Sequence, residues 1–362
     1  MDTPSFRNPI LTKSANILAI FVKPLPPIPI CWNPTSQKFV FTSARPKLMV
    51  WHLSVFIAFL NTFTAIFLLV RQLFVQDGFL QFSHIVIFVG GVIMGMYQSS
   101  VDFCLLSYGA EYVLVLNNLV PFSTKLQKAY SSFSIKSKPP ELGSRISTFI
   151  FNLDNHVCSM IVIFLGVSTP SVTFGGVYLH KDPFYHLLRL VDRAFPTWKL
   201  DTFLHNSIPN LLLRFLVIIP LVVHVSTSLA LVIIIFLSAL RFSCNVFESL
   251  IQLSGNGVPI NLSKLIRIYS SYAILLRGNC NFQETVTFIL MGLGLWVQAL
   301  FNYGAVIGFG VVPIYLYWYI FGGVILTFTA INLLMFYPYK MNDFSEMLLK
   351  LWKLAGVQIA NR

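Results

Sequence analysis

The chain has 362 residues, of which 56% are apolar and 10% charged, with a formal net charge of +12 and a mean hydropathy of +0.74. Soluble domains run at about 45–50% apolar and about 25% charged residues, so the composition excludes an ordinary soluble domain. So little soluble surface also excludes a nucleic-acid binder, whatever the charge. The expectation is an all-α, multi-pass transmembrane helical bundle whose first partner is the lipid bilayer.

Residues 1–47 come first. Their apolar patch Ile17–Val22 is followed by Lys23-Pro24-Leu25-Pro26-Pro27 and lacks a small-residue cleavage site, so no signal peptide is read and the segment is expected to remain a cytoplasmic tail. The transmembrane bundle, 48–338, is then divided by charge punctuation. A hydrocarbon core about 30 Å thick needs about 20 helical residues. Leu48–Val70 lies between Lys47 and Arg71, and a second span covers roughly 79–103 with Asp102 at its inner end. A third runs over about 156–179. The fourth, 208–240, is over-long for a bilayer and contains Pro209, Arg214 and Pro220. Between Glu284 and Lys340 lie 55 residues without Asp, Glu, Lys, Arg or His. That suits two spans, about 285–308 and 313–338, joined by a turn at Gly308-Phe309-Gly310-Val311-Val312-Pro313.

Six spans place 19 Lys and Arg on one side of the membrane and 5 on the other, with Arg214 inside a span. Basic residues are retained in the cytoplasm, so both termini are expected to be cytoplasmic. Cys31, Cys104, Cys244 and Cys280 fall on that side and Cys158 within a span, leaving no extracellular disulfide. The sequon Asn261-Leu262-Ser263 also lies inside, and proline excludes Asn33-Pro34-Thr35.

Within the cytoplasmic parts, 104–120 reads as a continuation of the second span. Ser123–Ser144 reads as a basic polar linker, with a helix restarting at Pro139-Pro140-Glu141. Residues 246–276 suit helices packed below the membrane. On the outer side, 184–195 reads as a short amphipathic helix.

Candidate chemistry is sparse. His180, Asp182 and His186 lack the ordered spacing of a zinc site, so no metal is expected. Asp154 and His156 sit at the inner interface, where a carboxylate beside a span is a functional candidate. Arg214, six residues into its span, is expected to snorkel outward to headgroups. No nucleophile with its base and no cofactor motif is present, so no enzyme activity and no cofactor are expected. The aromatic density stands out: Phe301, Asn302 and Tyr303 end the fifth span, and Tyr315, Tyr317, Trp318 and Tyr319 begin the sixth. An aromatic belt anchors spans at interfaces, yet these rings together with Ser171 would also suit a cavity for a small apolar ligand.

This layout resembles the arthropod gustatory and odorant receptor superfamily: a long cytoplasmic N-terminus, a basic inner loop, an outer loop with a short helix, a long fourth span and a helical cytoplasmic region before an apolar pair. The resemblance covers roughly residues 1–340. It implies a plasma-membrane chemoreceptor, a homo- or hetero-tetrameric ligand-gated cation channel with its ligand pocket in the outer half of the bundle and its pore lined by a seventh helix. The family's C-terminal Thr-Tyr…Gln-Phe signature has no match here. Residues 339–362 instead place Phe344, Met347, Leu348, Leu351 and Trp352 on one helical face and Asp343, Glu346, Lys350 and Lys353 on the other. Asp343-Phe344-Ser345-Glu346 resembles a capping box and Gly356 a stop. The expectation is a short amphipathic cytoplasmic helix and a chain lacking the family's last span. A secondary transporter of a small solute is the alternative reading. A G-protein-coupled receptor conflicts with the cytoplasmic N-terminus and the span count.

Overall fold

The computed structural model describes residues 12–25, 27–43, 45–75, 78–133, 141–178, 180–198, 208–255, 262–277, 280–310 and 314–360, excepting some side chains within them. Nine α-helices are described: α1 (Thr12–Val22), α2 (Met49–Val75), α3 (Phe82–Phe133), α4 (Glu141–Tyr178), α5 (Pro183–Ala194), α6 (Ile208–Gly255), α7 (Leu262–Arg277), α8 (Cys280–Gly308) and α9 (Ile314–Ala360). Two short strands, β1 (Ile30–Asn33) and β2 (Lys38–Phe41), pair antiparallel with Ile30 opposite Phe41.

Among the described residues, five helical stretches are long and apolar enough to cross a membrane: Pro46–Val75, Ser83–Leu119, Ile208–Ser254, Gln283–Gly308 and Ile320–Lys353. The expected third crossing falls in α4, whose apolar stretch among the described residues is Asn155–Val167. Large apolar side chains such as Phe56, Phe59, Phe63, Phe288, Trp296 and Phe328 are exposed on these helices, a surface that suits lipid rather than water. The turn after α8 is where the sequence puts it. Gly310 takes φ +75, a conformation that costs glycine little.

The centre is α6. Every residue from Ala230 to Cys244 is buried, the signature of a helix packed on all sides. This explains the over-long fourth span: α6 runs on past the length a crossing needs and becomes the shaft of a second bundle. Overhanging parts of α3 and α9 pack on it. Tyr112 of α3 donates from its hydroxyl to the Ile235 carbonyl at 3.4 Å, and Trp352 of α9 donates from Nε1 to Ser254 Oγ at 3.2 Å.

Two sequence expectations are corrected by this continuity. The linker expected at Ser123–Ser144 is helical to Phe133 and again from Glu141. Only 134–140 lie outside the described residues. Residues 339–360 do not start a helix at Asp343, because α9 runs unbroken through Pro338 and on past Gly356. A capping box needs orphan N–H groups at a helix start, and within a continuous helix those groups are already bonded. The amphipathic pattern itself holds: Leu348 is buried, Phe344 and Trp352 pack on the core, and Asp343, Glu346, Lys350 and Lys353 are exposed.

Residues 12–41, within the expected N-terminal tail, form a packed substructure. Ser14 Oγ lies 3.2 Å from Ser159 Oγ of α4, and Trp32 Nε1 donates to Asn16 Oδ1 at 2.7 Å. The Asn33 side chain accepts from the Thr35 and Ser36 N–H groups, closing the hairpin turn. Asn117 of α3 then clasps β2 like a missing strand. Its amide donates to the Phe39 carbonyl at 2.8 Å and accepts from the Phe39 N–H at 3.0 Å.

Candidate functional site

The aromatic set divides. Phe301 packs across the α8–α9 contact, where a Cβ on Gly323 would meet its ring at 2.5 to 2.8 Å. Tyr317 lies edge-on to Phe309, with centroids 5.7 Å apart. Asn302, Tyr303 and Trp318 face outward. Asn302 accepts from Gln298 Nε2 at 2.9 Å, and Trp318 is 62% exposed beside Phe321. The side chains of Ser171, Tyr315 and Tyr319 lie outside the described residues, as does that of Asp154. His156 is exposed, with its Nδ1 3.3 Å from Lys13 Nζ.

Buried polar chemistry concentrates at two other places. The outer one is a knot around Arg214. The sequence Asp182-Pro183 starts α5: proline occupies the first helical turn and Asp182 caps it, its Oδ1 accepting from the Tyr185 N–H at 2.8 Å. That capping turn aims Asp182 Oδ2 at the guanidinium of Arg214. Arg214 Nε donates to it at 2.9 Å and Nη2 donates both to the same oxygen and to the Val177 carbonyl. Nη1 reaches His180 Nδ1 at 2.9 Å, and the guanidinium carbon sits 4.8 Å from the centre of the Tyr185 ring. Arg214 is fully buried and Asp182 nearly so.

Arg214 therefore does not snorkel to headgroups. A carboxylate 32 positions earlier in sequence, at the start of α5, contacts it directly and satisfies it locally, and pairing inside the fold is the usual state of a charge at membrane depth. The same contacts engage His180 and Asp182, with His186 packed beside them. His186 Nε2 donates to the His180 carbonyl at 3.2 Å, and its ring lies 4.5 Å from that of His84. Burial, with His84 and the nearby cations adding to it, pushes the His186 imidazole down to about 4. Lys181 is lowered by burial and donates to Ser83 Oγ and His84 Nε2, both at 3.1 Å.

The inner centre joins three helices. Gln98 and Asp102 stand one turn apart on α3, His224 reaches them from α6, and the Trp51 ring of α2 lies 5.9 Å from the His224 ring. Gln98 Nε2 donates to Asp102 Oδ1 at 2.9 Å. His224 Nε2 is 3.0 Å from both Asp102 Oδ2 and Gln98 Nε2. One ring nitrogen cannot donate to the carboxylate and accept from the amide together. The centre therefore has two hydrogen-bond arrangements open to it: His224 Nε2 donating to Asp102 Oδ2, or accepting from the Gln98 amide. All three residues are buried.

Sequence reading placed Asp102 at the inner end of its span but missed its partners. The signal available was the i, i+4 pair Gln98/Asp102, which puts both polar groups on one helical face, and a lone His224 at matching depth in another span. Among the described residues, no cluster of three or more His, Cys, Asp or Glu could hold a metal ion. Compared with known proteins, the chain matches no family model, no curated protein and no solved structure.

Proposed function

We propose that this chain is a chemoreceptor of the gustatory and odorant receptor type: a plasma-membrane subunit that crosses six times with both termini in the cytoplasm, binds a small apolar ligand and assembles as a tetrameric, ligand-gated cation channel. The observation that carries the reading is the overhang. Three helices have 52, 48 and 47 residues, α3, α6 and α9, where about 20 suffice to cross. All three overhang on the side expected to bear most of the Lys and Arg, where α3 and α9 both pack on α6. A short capped helix, α5, lies at the other side. This order of parts is what the resemblance implies for such receptors.

The buried Asp102–His224 pair favours a second reading, a proton-coupled transporter of a small solute, because intramembrane acid and histidine chains also serve as proton relays.

Purified protein in lipid nanodiscs, screened by thermal unfolding against a panel of small apolar organic compounds, tests the first reading. The expected result is saturable stabilisation by members of the panel and a four-copy particle by mass photometry. Accumulation of a labelled compound in reconstituted vesicles under an imposed pH gradient would overturn it in favour of transport.

A further inference from the structure

Three guanidinium groups converge on one phenyl ring at the end of α2 far from Lys47. Phe79 is buried in a small apolar cluster with Leu68 of α2, Leu80 and Phe88 of α3, and Leu190 of α5 packs against that cluster. Around its ring stand Arg71 of α2, 5.2 Å from the centroid, and Arg189 and Arg193 of α5, at 5.5 and 4.8 Å. Arg189 and Arg193 are one helical turn apart and so share a face, and α5 packs on α2. Lys181, bonded to His84 beside the His186 ring that Phe79 meets edge-on, adds a fourth cation. A ring has two π-faces, so at least two of the three guanidiniums share one. Like charges so placed repel, and a cation–π contact at an exposed site is weaker than a hydrogen bond between charged groups. Nearby carboxylates do not relieve the repulsion. Asp182 is committed to Arg214 and to the start of α5. Asp77 lies outside the described residues. Arg189 and Arg193 are exposed and, among the described residues, form no ion pair, even with Asp192, the single carboxylate of α5.

A guanidinium presents a planar fork of donors that matches the oxygens of a phosphate, and one oxyanion shared among these forks turns their repulsion into attraction. Exposed Phe67 and Phe74 lie one turn before and one turn after Arg71 on α2, so apolar surface suited to acyl chains borders the cluster. We propose that Arg71, Arg189 and Arg193 bind an oxyanion of phosphate type beside Phe79. Two sources carry that chemistry: the headgroup of a phospholipid lying along α2, or phosphate free in solution. The site is independent of receptor or transport activity.

The full chain in uncharged detergent micelles is unfolded by heat with phosphatidylglycerol, with diacylglycerol of the same acyl chains, or with sodium phosphate against sodium chloride at equal ionic strength. Phosphatidylglycerol should raise the unfolding midpoint saturably and diacylglycerol should not. A rise with phosphatidylglycerol alone assigns the site to a headgroup, and a rise with sodium phosphate assigns it to the free ion. Arg189→Gln with Arg193→Gln removes two charge-assisted donors and should raise the half-saturating concentration at least about tenfold. Lys350→Gln with Lys353→Gln takes the same charge from exposed positions on α9 and should leave that concentration unchanged. Equal responses to phosphatidylglycerol and diacylglycerol, with none to sodium phosphate, would overturn the proposal without recourse to any variant. So would an unchanged concentration in the arginine variant, or equal shifts in the two double variants, since diffuse basic charge would then suffice.

Discussion

The outer knot and the inner centre each bury a carboxylate between helices, yet they differ in what neutralises it. At the outer knot the partner is a guanidinium, which stays charged at any accessible pH, and its fork is shared between Asp182 and the Val177 carbonyl. At the inner centre the partner is an imidazole, which can be neutral, and the group facing both is an uncharged amide, Gln98. The outer pair has one hydrogen-bond arrangement, whereas the inner group has two, with His224 Nε2 donating to Asp102 or accepting from Gln98. A permanent pair suits a fastening, here of α5 and its loop onto α6. A centre with two hydrogen-bond arrangements suits a contact between α3 and α6 that can be reset.

The most damaging test of that contrast is Arg214→Met. Removing one partner of a buried ion pair leaves an uncompensated charge and costs about 3–5 kcal/mol. Denaturant unfolding in micelles should show a loss of this size, with Asp182→Asn in the same chain recovering part of it. A loss below about 1 kcal/mol would mean that the guanidinium is solvated and the knot is no fastening.

Asp102→Asn should cost less, about 1–3 kcal/mol, because an amide of the same shape keeps hydrogen bonds to Gln98 and His224. Equal losses at the two sites would erase the distinction and make the inner centre a second permanent ion pair.

Acid should separate the two ends further. His186 has its pKa lowered from 6.5 to about 4 by burial, so the folded protein takes up its proton later than the unfolded chain does. A histidine lowered in this way leaves stability complete above pH 6.5 and erodes it as pH falls from there toward 4. Unfolding midpoints measured across that window should decline, and His186→Gln should flatten the decline. A slope unchanged in this variant would place the acid sensitivity elsewhere.

The architecture was legible because its signals are long. Uncharged runs bounded by Lys47, Arg71, Glu284 and Lys340 mark the apolar segments, Pro183 and Gly310 mark a helix start and a turn, and Leu348/Trp352 keep helical spacing wherever their helix begins. What stayed illegible depends on pairing across sequence. Nothing near Arg214 announces Asp182 as its partner, so exposure was the default expectation. The hairpin at 30–41 is too short to show a period among prolines, and Asn117 reads as an interruption of an apolar run until β2 is laid beside it. Continuity was misjudged for a related reason: polar residues at 123–133 and at 339–353 look like ends of helices, whereas here they mark where helices leave the apolar layer and keep going.

The smallest effect is expected at the aromatic ends of α8 and α9, which set the baseline for both polar centres. Between membrane helices, stability comes from packing and hydrogen bonds, because lipid solvates apolar side chains as well as protein does. Trp318 is 62% exposed, so Trp318→Ala exchanges lipid contact for lipid contact and should leave unfolding within about 0.5 kcal/mol of wild type. Phe301 is different, since its ring fills the space left by Gly323. Phe301→Ala should open that contact and cost on the order of 1 kcal/mol. Under the receptor reading, Trp318→Ala should change the stabilisation produced by a bound apolar compound more than it changes the unliganded protein. If instead it lowers unliganded stability as much as Phe301→Ala does, Trp318 is a packing residue and the outward-facing rings are not where ligand is sensed.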